Sequence, residues 1–289
     1  MKFDLSAAWD DALRIFRGSW QLMLVIAGIF VLLPNLALSF AMPDMMTGSM
    51  FGDIPADAEP EQVFAQIGPM IGALMVSVIA LLVIQAIGQM AMMAVTDRAR
   101  PTVGQAIGIA FRALPTMIGV FALAILGYIL IAIALILPVG LIGAAGSEGG
   151  AAVLAVLLIP LFMVVFGYLA TRLSMVMPAI ILGGERNPVV AFKASWQTTK
   201  GSAWRLFAYY VLLVIAYLII SMVAGLVFGG LALVGGGFEP GNALSIGMIV
   251  NFLFSSILAA FVAAFATAIF AAVWFQLAGE GAAIAETFD

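Results

Sequence analysis

Lys193, Trp196, Lys200, Trp204 and Arg205 alternate cationic and indole groups within one short stretch of the chain. Cations attract anionic lipid headgroups, and indoles settle at the boundary between headgroup and hydrocarbon. Arg172 lies upstream, after one long apolar run and before another, Leu173 to Leu182. A charge within an apolar run costs several kcal/mol, roughly, and invites a functional reading, here a guanidinium holding a lipid phosphate. A second reading stays open, in which Arg172 marks the cytoplasmic interface and snorkels to headgroups. Ordinary interfacial anchoring likewise accounts for the Lys193 to Arg205 cluster.

Other chemistries lack their residues. The 289 residues include no histidine and no cysteine, which removes imidazole and thiolate metal ligands, thiol nucleophiles and the commonest general acid-base. The acids fall in loops and tails, so no catalytic residue, metal site or cofactor is expected. Gly183-Gly184 and Gly235-Gly236-Gly237 lack the lysine-serine that a phosphate-cradling loop carries, and no nucleic-acid partner is expected.

The elements that hold these residues follow from composition. With 65% hydrophobic and 9% charged residues, a water-soluble fold would expose more hydrocarbon than its polar groups could cover. Runs long enough to cross a core about 30 Å thick recur at 19–42, 68–95, 115–139, 151–182, 203–233 and 244–278. Pro178 is a plausible kink in the long fourth run. The first run is expected to stay in place rather than act as a cleaved leader, because Asp4, Asp10 and Asp11 stand where a leader would be positive.

Charge sets the orientation. Lys2, Arg14, Arg17, Arg98, Arg100, Arg112, Arg172, Arg186, Lys193, Lys200 and Arg205 all fall before the first span or around the junctions of spans two with three and four with five. The other side carries Asp44, Asp53, Asp57, Glu59, Glu61, Glu148 and Glu239. The positive-inside rule then places both termini in the cytoplasm of a bacterial-type inner-membrane protein.

Each cytoplasmic entry carries a helix-period stripe: Leu5, Ala8, Trp9, Ala12, Leu13 and Phe16; Val103, Ala106, Ile107, Ala110, Phe111 and Leu114; Phe192, Ser195, Trp196, Thr199 and Ala203. Asp4, Thr102 with Gln105, and Asn187 before Pro188 supply N-caps. The fold predicted is all-α, a single polytopic domain over 1–289. Its six transmembrane helices form three hairpins, each preceded by a cytoplasmic interfacial amphipathic helix. Approximate repeats cover 1–95, 96–182 and 183–278, with a tail at 279–289, and Gln85 matches Arg172 in that alignment. Chance similarity among amphipathic helices is the competing explanation. Asn35, Gln89, Asn251, Ser255 and Ser256 lie inside spans, where interhelical hydrogen bonds usually account for such residues.

Ala191, Ser195, Trp196, Thr199 and Gly201 spell A-x-x-x-S-W-x-x-T-x-G, downstream of a proline and a short acidic turn. This pattern resembles the signature of the glycerophosphoryl diester phosphodiesterase membrane-domain family. The likeness runs more loosely to the N-terminal A-W and R-G-S-W elements. In some members the membrane domain precedes a soluble barrel with metal-binding acids and catalytic histidines. The resemblance therefore implies a stand-alone membrane domain here, with that barrel expected to be absent. The function expected is non-enzymatic binding of anionic phospholipid at the cytoplasmic rim by Arg172, Lys193, Trp196, Lys200, Trp204 and Arg205, in lipid handling or translocation. The alternative is a membrane scaffold or assembly factor. Partners are membrane phospholipids, with a homo-oligomer or partner membrane proteins left open.

Overall fold

In a computed structural model the described residues are 3–41, 60–234 and 246–278, and among them the chain is all helix, with no strand. The acidic residues Asp44, Asp53, Asp57, Glu59 and Glu239, the Gly235-Gly236-Gly237 run, Lys2 and the tail 279–289 lie outside the described residues. The elements are α1 (Leu5–Ala27), a π-helical segment (Gly28–Leu32), α2 (Leu33–Ala41), α3 (Pro60–Val95), α4 (Val103–Ala144), α5 (Glu148–Leu173), α6 (Val176–Ile181), α7 (Pro188–Thr198), α8 (Ala203–Val234) and α9 (Ile246–Leu277).

Among the described residues six stretches are long and apolar enough to cross a membrane: Leu5–Phe40, Ile71–Val95, Val103–Ala144, Gly149–Ile181, Ala203–Gly230 and Ile246–Leu277. They leave large apolar side chains uncovered along most of their length, including Val76, Leu130, Leu157, Leu218 and Leu226. Exposure on this scale suits hydrocarbon rather than water, and the chain is a multi-pass membrane protein.

Two of the helical prolines, Pro34 and Pro178, stand beside the places where the helices deform. A proline lacks an N–H and its ring crowds the carbonyl four residues back. For Pro34 that carbonyl belongs to Phe30, and the π-helical turn over Gly28–Leu32 widens the backbone there. The Asn35 side-chain amide then donates to the carbonyl of Val31 at 2.7 Å. For Pro178 the crowded carbonyl is that of Ser174, and the helix breaks between α5 and α6 at Ser174–Met175. The expected kink at Pro178 is thus a break placed upstream, with the proline inside the first turn of α6.

A separate short helix stands at only one of the three expected places, α7 over Pro188–Thr198. Residues 5–17 continue into α1, and residues 103–114 continue through Pro115 into α4. Neither junction holds a residue that must leave helical backbone, whereas Gly201, three residues beyond the end of α7, does, with φ of 86°. Leu5 and Trp9 of the first stripe are exposed, as is Phe111 of the second.

The three starts nevertheless share one local construction. The Asp4 carboxylate accepts from the amides of Ser6 and Ala7. Thr102 and Gln105 form a reciprocal capping box, and the Asn187 side chain accepts from the amides of Val189 and Val190. Four residues beyond each cap, Ala8, Ala106 and Ala191 begin a small-xxx-small pair with Ala12, Ala110 and Ser195. All six small residues are wholly buried.

The described residues group into two compact units. One joins the N-terminal stretch to Ile15 with Phe111–Leu213 and the chain from Ile269 onward, and the other joins Phe16–Ala110 with Val214–Ala268. In the first, α4 and α5 meet through the turn Ala145–Ser147, and α7 packs on α5 and α6. In the second, α2, α3 and the π-helical segment pack together, and Phe30 lies against Gly88 so closely that a β-carbon there would clash.

Candidate site around Arg172

Arg172 occupies the last turn of α5, where a cation also faces the negative end of the helix dipole. It is half-buried. Its Nε donates to the Tyr168 hydroxyl at 3.1 Å, one turn back on the same helix. Its Nη1 donates to the Trp196 carbonyl at 3.4 Å and the Thr199 hydroxyl at 3.3 Å, both on the α7 side. The guanidinium carbon lies 4.9 Å from the Trp196 ring centroid and 5.4 Å from that of Tyr168, within cation-π range.

The connection between α5 and α7 is tied at the same point. The Ser195 hydroxyl donates to the Arg172 carbonyl at 2.7 Å, and the Thr199 hydroxyl donates to the Ser195 carbonyl at 2.9 Å. Both residues are buried. The Tyr168 ring meets Trp204 of α8 at 5.1 Å, and Trp204 meets Phe207 edge-on at 5.8 Å. Gly167 leaves room for Phe207, since a β-carbon at that position would come within 2.9 Å of its ring.

The electrostatics are one-sided. Among the described residues no carboxylate lies within ion-pair distance of Arg172. Three of its N–H directions are engaged through Nε and Nη1, which leaves the two N–H groups of Nη2 for another acceptor. No group of three or more His, Cys, Asp or Glu gathers among the described residues.

Of the residues expected at the site, Arg172, Trp196 and Trp204 come together, linked by Tyr168. Lys193, Lys200 and Arg205 are exposed, and their side chains make no hydrogen bond or ion pair among the described residues. Tyr168 was not anticipated, although its spacing of four residues from Arg172 places it on the same helix face. The motif residues are all used in this turn: Ala191 is buried, Ser195 and Thr199 tie α7 to Arg172, Trp196 covers the guanidinium, and Gly201 takes the left-handed backbone.

Residues 150–283 match the membrane domain of glycerophosphoryl diester phosphodiesterase. The resemblance drawn from the motif is shown for that part of the chain, which contains Arg172, the whole of α7 and the indole cluster. No curated protein and no solved structure matches the chain.

Proposed function

We propose that the protein is a non-enzymatic component of a bacterial-type cytoplasmic membrane that retains anionic phospholipid at its inner face. The carrying observation is Arg172: a half-buried cation with no carboxylate partner among the described residues, oriented by three hydrogen bonds and flanked by Trp196 and Tyr168. Its Nη2 edge suits a phosphate oxygen, and guanidinium-phosphate hydrogen bonds are short and charge-assisted. Lys200 and Arg205 add exposed charge, Lys193 extends the basic rim, and Trp196 and Trp204 form the aromatic belt. Each cation near an anionic surface contributes about 1 kcal/mol, so three together enrich such a lipid roughly a hundredfold over neutral neighbours.

The same reading sets both termini in the cytoplasm and treats the chain as three related units covering 1–95, 96–182 and 183–278. The repeated cap and buried small-residue pair support that division, and the complete segregation of Lys and Arg supports the orientation. Single cysteines at Asp53 and Glu239 should react with an impermeant thiol reagent in intact cells while one at Arg100 should not; labelling at Arg100 would reverse the topology.

Lipid handling or translocation is the use such retention would serve. The functional test replaces Arg172, Lys200 and Arg205 together by glutamine and compares lipid copurified with the folded, inserted protein. Loss of anionic lipid is expected. Unchanged lipid with copurifying membrane proteins would favour the scaffold reading.

A further inference from the structure

Tyr217, Ser221 and Gly225 of α8, with Asn251, Ser255 and Ala259 of α9, line a cavity of about 190 Å³ within the second unit. Both helices are apolar enough to span the membrane, yet hydroxyl and amide groups gather at this one place, and no charged residue lines it. The Ser221 hydroxyl oxygen is fully buried and has no hydrogen-bond partner. Ser39, Thr171, Thr198 and Thr267 all donate to the carbonyl four residues back in their own helices. The side chains of Asn251 and Ser255 also make no hydrogen bond among the described residues, so interhelical bonding does not account for them.

A buried hydroxyl left unsatisfied in an apolar span is costly, and a ligand group with matching acceptors removes that cost. With no cation in the lining, the site does not suit a phosphate or carboxylate. The groups present can donate to carbonyl oxygens and accept from a hydroxyl. The cavity is smaller than a drug-sized cleft and cannot take a whole diacyl lipid. We infer that it receives the uncharged glycerol-ester region of a diacyl lipid, with the Asn251 amide donating to one ester carbonyl oxygen, the Ser221 hydroxyl turning about its Cα–Cβ bond to reach a second, and the acyl chains leaving along α8 and α9. This inference does not rest on the Arg172 site, because no charge is involved.

The ester region occurs both in diacylglycerol and in phospholipids, and the test separates them. The full chain is placed in phosphatidylcholine nanodiscs containing a trace of diacylglycerol or of phosphatidylglycerol, each with a diazirine close to the ester. After irradiation, adducts are mapped by peptide mass spectrometry. Adducts should concentrate in residues 217–225 and 251–259. Labelling by both probes means that the headgroup lies outside the cavity, and labelling by diacylglycerol alone means that the cavity closes over the glycerol. Gly225→Leu puts a bulky side chain on the cavity lining, at a position where a β-carbon meets nothing within 4 Å, and it should cut this labelling at least tenfold. Ser221→Ala, which removes the hydroxyl with little change in volume, should cut it a few-fold. Even labelling along the outer faces of both helices, unchanged in a folded Gly225→Leu variant, would overturn the inference.

Discussion

The turn around Arg172 and the cavity between α8 and α9 handle polar groups in apolar helices in opposite ways. Around Arg172 nearly every donor and acceptor is engaged, small residues are wholly buried, and the one open edge belongs to a cation. In the cavity the polar groups are neutral, space remains, and a buried hydroxyl has no partner. A close-packed, hydrogen-bonded turn fixes a charge in one position, whereas a loosely filled polar gap selects by shape and hydrogen bonding. Substitutions of the same type should therefore have different consequences in the two places.

The largest contrast is expected between two serines. Ser195→Leu overpacks a wholly buried position and removes the hydrogen bond to the Arg172 carbonyl, and should cost about 3 kcal/mol in thermal unfolding of the detergent-solubilised protein. Ser255→Leu, on an exposed position at the cavity, should change stability by less than about 0.5 kcal/mol. Equal losses would mean that the cavity is as tightly packed as the turn.

Two glycines sharpen the same point. Gly167→Leu must displace the Phe207 ring and should cost about 1–3 kcal/mol, while Gly225→Leu should be nearly neutral. Next in size is Asn187→Ala, which leaves the first amides of α7 without their acceptor and should cost about 1 kcal/mol. Because α7 carries Trp196 and Thr199 to Arg172, that variant should also lower the preference for anionic lipid, whereas a change confined to the uncharged cavity, such as Ser255→Leu, should not.

Much of the fold was legible in the sequence because membrane spans are written in length and hydropathy, which need no tertiary information. The caps at Asp4, Thr102 and Asn187 were legible too, since a cap depends on residues a few positions apart. What was not legible was continuity. Amphipathic stripes at 5–17 and 103–114 look like independent helices, but periodicity does not show where a helix ends, and no residue at those junctions forces an end as Gly201 does. At the site, Arg172, Trp196 and Trp204 stood out by type. Their convergence depends on the break at Ser174–Met175 and on two hydroxyls, Ser195 and Thr199, which composition alone would assign to packing. The basic residues Lys193, Lys200 and Arg205 meet the same chemical criterion and are exposed, outside the hydrogen-bonded turn.

The smallest expected effect is on pH. The Asp4 carboxyl is held below its usual value by the Ser6 hydroxyl, with help from the amides of Ala7 and Ser6. A depressed carboxylate pKa stabilises the folded state above the unfolded value and loses that contribution as pH falls through the lowered one. Amide exchange at Ser6 and Ala7 should therefore speed up only below about pH 4, with Asp4→Asn abolishing the dependence.

The assignment of Arg172 to lipid retention is tested most directly by native mass spectrometry of the protein released from nanodiscs of equal phosphatidylglycerol and phosphatidylcholine. Wild type should retain phosphatidylglycerol preferentially. Arg172→Lys, which keeps the charge but loses the planar fork, should keep part of that preference, and Arg172→Gln should lower it by about fivefold, the equivalent of roughly 1 kcal/mol. An unchanged preference in a folded Arg172→Gln variant would contradict the assignment and leave Arg172 as an interfacial anchor.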